Sequence, residues 1–179
     1  MKNQIVIILI TTFLFSACES KKAKPVFYDT SDTELMTTEL GVNYCSAGDE
    51  VEVPFREEGG IKYVNVSVNG VGLEMIFDTG CSSTLISLAE AEYLAKKGLL
   101  TKEDYLGNVQ SYIADGSVSE NMKFNLKEVV IDGKILCRDV VATVSGNNNA
   151  PLLLGNEVLN RTASYTIDNE NKNIIFKLK

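Results

Sequence analysis

The sequence contains no histidine. That absence removes Ser-His-Asp and Cys-His catalysis, and with them the usual zinc centres, which lean on imidazole. Any proton transfer that an enzyme of this sequence performs falls to Asp, Glu, Lys, Tyr or Cys. A basic cluster is also missing. Lys and Arg number 17 against 24 Asp and Glu, a formal net charge of −7, which argues against nucleic acid as a partner. No internal repeat divides the 179 residues, so the length reads as one domain with an appendage. Long hydrophobic runs are scarce. The main one, "IVIILITTFLF" from Ile5 to Phe15, is too short for a comfortable membrane span.

That run fits the apolar core of a signal peptide, with Lys2 as a small positive lead. Small residues then precede a cysteine in "FSAC", Phe15 to Cys18, which resembles a bacterial lipoprotein lipobox with Phe where Leu is more usual. The resemblance implies a signal peptide over residues 1–17, lipid on Cys18, and attachment to a bacterial membrane facing the periplasm or the exterior. Residues 18–49 then read as a tether and a poorly patterned lead, and residues 50–179 as the domain. Outside the cytoplasm disulfides can persist. Lipidation of Cys18 leaves Cys45, Cys81 and Cys137, an odd number. A Cys45–Cys137 bridge is one option, and the sequence does not decide it. With no histidine to activate it, Cys81 reads as a pocket-lining residue and not as a nucleophile.

What is present in quantity is strand. "VEVPF" (51–55) alternates up to Pro54, and "IKYVNVSVN" (61–69) alternates with a change of phase between Tyr63 and Val64 that suggests a bulge. Asn69-Gly70, Asp115-Gly116 and Asp132-Gly133 are hairpin turn signals. They divide predicted strands at 73–77, 109–114, 117–126, 127–131 and 135–145. "STLIS" (83–87) is a further short strand. Ser87 then caps a helix with Glu90 three residues on, Gly98 ends it, and Thr101 with Asp104 marks a second, short one. "PLLLG" (151–155) reads as a short strand buried on both faces, "NEVLNR" as a short helix, and 163–167 with 173–178 as a closing hairpin. Many short strands, glycine turns and few helices predict a mainly β, closed barrel-like domain.

One stretch stands apart. "MIFDTGCSST" (75–84) is an apolar strand that delivers Asp78, Thr79 and Gly80 at its tip. A lone Asp-Thr-Gly is more often an ordinary turn. Here three elements occur in order: Ile76-Phe77-Asp78-Thr79-Gly80-Cys81-Ser82, then Ala114-Asp115-Gly116-Ser117, then Leu153-Leu154-Gly155 before a short helix. In that order the sequence resembles the retropepsin-like aspartic proteases, single-domain relatives of the retroviral protease, over roughly residues 60 to 178.

The resemblance implies an acid-protease fold and an endopeptidase with Asp78 as the catalytic residue. Two facing carboxylates cannot both ionise, so they share a proton and divide the roles of base and acid; the aspartic proteases are the standard case. No metal or cofactor is required. By the same resemblance Thr79 reaches the partner loop, Ser82 hydrogen-bonds Asp78 from its outer side, Leu153, Leu154 and Gly155 support the loop, and Ala114 to Ser117 form a flap over substrate. Tyr112, Ile113 and Val118 are candidate subsite walls. The mechanism needs two aspartates and the chain has one Asp-Thr-Gly, because Asp115-Gly116 and Asp132-Gly133 lack the threonine and the apolar lead. The resemblance therefore implies a homodimer with Asp78 from each chain and a peptide or protein substrate. The chain departs from the family pattern at two places, Cys81 and the pair Asn156-Glu157. The alternative reading is a non-catalytic peptide-binding or structural envelope lipoprotein of the same fold.

Overall fold

The computed structural model describes residues 28–29, 47–112 and 116–179. The expectations for residues 1–17, for Cys18 and Cys45, and for Ile113, Ala114 and Asp115 lie outside those residues. In chain order the elements are β1 (Tyr28–Asp29), β2 (Glu50–Pro54), β3 (Arg56–Glu58), β4 (Ile61–Val68), β5 (Val71–Phe77) and β6 (Thr84–Ile86). Helix α1 (Leu88–Lys96) and a 3-10 turn (Lys102–Asp104) follow, then β7 (Tyr105–Tyr112), β8 (Val118–Ile131), β9 (Ile135–Ser145) and β10 (Leu153–Leu154). Helix α2 (Asn156–Leu159), β11 (Thr162–Asp168) and β12 (Asn173–Leu178) complete the domain.

The strands form a nine-stranded and a three-stranded sheet. In the larger one the pairings return on themselves, from β5 through β10, β6, β9, β8 and β4 back to β5. The expected closed barrel is thus a ring of strands, with β1, β3 and β7 attached to it. Strand β2 joins β12 and β11 in the smaller sheet. The fold is mainly β, as the turn spacing implies. Among the described residues no helix is long and apolar enough to cross a membrane.

Local chemistry accounts for the connections. Asn69 and Gly70 both take positive φ, 47° and 81°, the mirror-image turn whose twist suits a two-residue hairpin. Asp132 and Gly133 repeat it at 48° and 66°. Asn69 is more than a turn residue, since its side chain donates to Leu99 O (2.8 Å) and accepts from Glu128 N (3.0 Å). The Ser87 hydroxyl accepts from Ala89 N (3.1 Å) to start α1, and Glu90 takes the Ser87 hydroxyl. Thr101 and Asp104 form the capping box of the 3-10 turn.

The core lies inside the ring and under the small sheet. Val64, Val66 and Val68 of β4 face it with Met75 and Phe77 of β5, Leu154, Val158, Ile174 and Phe176. Side chains of this size contribute about 1.5–3 kcal/mol each when fully buried.

Three local expectations are corrected. No bulge separates Tyr63 from Val64, because the register runs unbroken from Tyr63↔Ile76 to Val68↔Val71. Ile61 and Tyr63 simply use the opposite face of one strand from Val64. Segments 117–126 and 127–131 are one strand, β8, whose near half pairs with β7 and whose length pairs with β9. Leu153 is only half-buried, so 151–155 is not covered on both faces.

Candidate active site

Strand β5 alternates from Leu73 to Phe77. Met75 and Phe77 point into the core, while Ile76 and then Asp78 emerge on the opposite face. Phe77 is clamped edge-on against Tyr165 (centroids 5.3 Å apart) and Phe176 (6.2 Å), so the strand end is pinned to the small sheet. This is why an apolar strand carries a carboxylate at its tip: one face anchors and the other presents.

The loop after Phe77 is held by its own backbone and by β10. Gly80 N–H donates to Asp78 Oδ1 (2.8 Å), and Cys81 N–H to Asp78 O (3.4 Å). Strand β10 runs parallel to β5, pairing Leu153 with Ile76 and Leu154 with Phe77. Ile76 N–H donates to Leu152 O (2.8 Å) and Asp78 N–H to Leu154 O (3.1 Å). The chain then turns so closely past the loop that a Cβ at Gly155 would run into Ser83 O and sit 2.8 Å from Cys81 O. Gly155 is there for that approach. Beyond it, Asn156 N–H donates to Cys81 O (2.9 Å) and its side-chain Nδ2 to Thr79 O (3.0 Å). The Asp78 loop is therefore strapped on both flanks by residues 152–156.

Asp78 opens onto a cleft of about 450 Å³. The cleft is lined by Ile76, Phe77 and Asp78 with Leu153 of the neighbouring β10 and by Gly60, Ile61 and Lys62 at the start of β4. Thr79 and Gly80 are exposed at the tip of the loop. Among the described residues the Thr79 hydroxyl has no hydrogen bond. Ser82 is exposed as well, and no hydrogen bond joins it to Asp78, contrary to the expectation. The Ser83 hydroxyl points inward instead, 3.0 Å from Thr143 Oγ1. Cys81 is free and half-buried, its Sγ 3.0 Å from Ser83 O. Cys137 is free and buried on β9, and burial pushes its thiol pKa up.

The structure brings together Asp78, Thr79, Gly80, Leu153, Leu154 and Gly155. Gly116 and Ser117 lie at the far end of the β7–β8 hairpin, both exposed, beside Tyr112 and Val118, which are 81% and 51% exposed. Residues the sequence reading missed are Ile61 and Lys62 as cleft wall and Asn156 as the brace on Thr79. The signal for Ile61 was present in its phase against Val64, since it marks the face that Ile76 and Asp78 share. The Asn156 contact depends on a loop-to-helix approach that no periodicity encodes.

An Asp-Thr-Gly loop at the end of a buried strand, strapped by an apolar-apolar-Gly segment, defines a single-lobe site of the acid-protease type. The family model described as "gag-polyprotein putative aspartyl protease" matches residues 64–161. Among solved structures, a retropepsin-like aspartic protease from Rickettsia conorii is 22% identical, with a TM-score of 0.51 over 73% of this chain and 90% of that one. The retroviral protease-like domain of Ddi1 from Leishmania major is 18% identical, with a TM-score of 0.43 over 64% of this chain and 91% of that one. No curated protein matches the chain. The chain belongs to the retropepsin-like aspartic protease family.

Proposed function

We propose that the protein is an aspartic endopeptidase that works as a homodimer, with Asp78 from each chain. The observation that carries the reading is the setting of Asp78, on the cleft face of β5 with one oxygen held by Gly80 N–H. Two such carboxylates across a twofold axis would share one proton. The ionised one takes a proton from water, which attacks the peptide carbonyl. The protonated one donates to the developing oxyanion, and a proton then passes to the leaving nitrogen. The Thr79 hydroxyl, exposed and without a hydrogen bond among the described residues, supports the pairing as a group free to bond a partner loop. The cleft suits an extended peptide, with Ile61, Ile76 and Leu153 as apolar contacts.

The test compares the full chain with Asp78→Asn on a peptide library from about pH 4 to 7. The reading expects cleavage by the first and none by the second. Equal cleavage by both would end it.

We further propose that Cys18 carries lipid and holds the domain at a bacterial envelope membrane, on the strength of the "FSAC" pattern. Radiolabelled palmitate should enter the protein in bacterial cells and be absent from Cys18→Ser. Equal labelling of the two would remove the anchor.

A further inference from the structure

The hydrogen bond that holds the Asp78 carboxylate comes from the peptide group joining Thr79 to Gly80. Its N–H end donates to Asp78 Oδ1 (2.8 Å). Its carbonyl end, Thr79 O, accepts from Asn156 Nδ2 (3.0 Å). No cis peptide bond occurs among the described residues, so the two ends of this planar group point in opposite directions. Whatever fixes the carbonyl therefore also aims the N–H.

The plane needs such a hold. Glycine is the residue that fits beside the carboxylate, because a Cβ at Gly80 would lie 3.2 Å from Asp78 Oδ1. The same missing Cβ leaves the preceding peptide easy to turn, and both Thr79 and Gly80 are exposed. Asn156 is placed to resist that turning. It opens α2, its own N–H is on Cys81 O (2.9 Å), and its carbonyl accepts from Asn160 N–H (3.0 Å). The side chain thus reaches Thr79 O from a fixed backbone. A bond to the carbonyl also polarises the peptide and makes its N–H the stronger donor. Asn156 is one of the places where the chain departs from the family pattern, so the brace belongs to this chain.

Resting on the peptidase reading above, we propose that Asn156 is a positioning residue for catalysis. Through the Thr79–Gly80 peptide it keeps Gly80 N–H aimed at Asp78 while the carboxylate gives and takes its proton. An N–H already in place stabilises the charged form with no reorganisation during the reaction. Asn156 does not bond the carboxylate itself and acts through the peptide.

The test reads both ends of that peptide. Thr79-Gly80 is the only Thr-Gly pair in the sequence. Full-length protein in detergent micelles, with isotope-labelled threonine carbonyl carbon and glycine nitrogen, therefore gives a single carbonyl-to-amide NMR signal. Asn156→Ala should shift the Thr79 carbon and with it move the Gly80 proton upfield. Asp78→Asn should move the Gly80 proton upfield too, which ties that shift to the carboxylate bond. Asn156→Asp keeps the size and suits the first turn of a helix, so it guards against misfolding, but when ionised at about pH 6 it has no hydrogen to donate. At that pH both Asn156 variants should lower kcat about tenfold, the worth of one hydrogen bond, with KM changed less than about twofold. A Gly80 proton that stays in place in Asn156→Ala or in Asp78→Asn overturns the proposal. A kcat that keeps its wild-type value when the proton moves overturns it as well. Absence of cleavage by wild type, with both shifts as expected, would sink the peptidase reading and leave the coupling of Asn156 to Asp78 standing.

Discussion

Asp78 owes its position to three neighbours: Phe77 beneath it, Gly80 N–H on its oxygen, and Leu154 O on its own N–H. Two cysteines sit in opposite settings. Cys137 is buried on β9, which pushes its thiol pKa up, whereas Cys81 is half-buried beside the loop. A maleimide should therefore label Cys81 in the native protein and reach Cys137 only after denaturant is added. Prompt native labelling of Cys137, read by mass spectrometry of peptides, would contradict the packing of β9. A second residue-scale prediction concerns pH. Glu74 accepts two hydrogen bonds from Arg56, which hold its carboxyl below the usual range. A depressed folded-state pKa stabilises above the unfolded value of about 4.3, and that contribution disappears as pH falls through the folded pKa. The group is partly exposed, so the effect stays below about 1 kcal/mol. Glu74→Gln should lower the melting temperature at pH 6, and the difference from wild type should shrink as pH falls through the acid range. A constant offset across that range would assign the loss to packing.

At the scale of elements, the strap formed by β10 and the start of α2 carries the site. Its tightest point is Gly155, where added side-chain atoms meet backbone carbonyls that cannot rotate away. Gly155→Ala should cost about 3 kcal/mol, the upper part of the overpacking range, and lower activity by loosening the Asp78 loop. Denaturant midpoints check the first part, and an unchanged midpoint would deny the close approach. Much of this was legible in the sequence. The Asp-Thr-Gly tip, the Leu153-Leu154-Gly155 strap and the Asn69-Gly70 hairpin are short-range signals, each with a local physical cause. Other features were not. The break expected between the predicted strands 117–126 and 127–131 failed because Asn125, Leu126 and Glu128 stay paired with β9 across it. The supposed bulge at Tyr63 was a misread phase, since a strand lining a cleft has apolar residues on both faces. Ser82 fails to meet Asp78, and Asn156 reaches Thr79 instead, because that choice rests on tertiary approach and not on spacing.

For the whole molecule, the central matter is the number of carboxylates. The chain supplies one Asp-Thr-Gly, and the shared-proton mechanism requires two. Nothing in the ring of strands offers a second loop of that kind among the described residues. Asp132-Gly133 is a hairpin turn between β8 and β9, and Asp132 is bonded to Lys134 (2.7 Å). Activity should therefore depend on association of two chains, and specific activity should fall on dilution below the dimer dissociation constant. A specific activity constant over a hundredfold dilution, with a monomeric mass by light scattering, would oppose this.

The most direct measurement is a mixing experiment. Wild-type chain at fixed concentration is titrated with Asp78→Asn chain, and peptide cleavage is followed. If each site needs Asp78 from both chains, mixed dimers are inactive, and excess variant drives the cleavage rate towards zero. If one chain holds a complete site, the rate stays at its starting value however much Asp78→Asn is added, and the account is wrong.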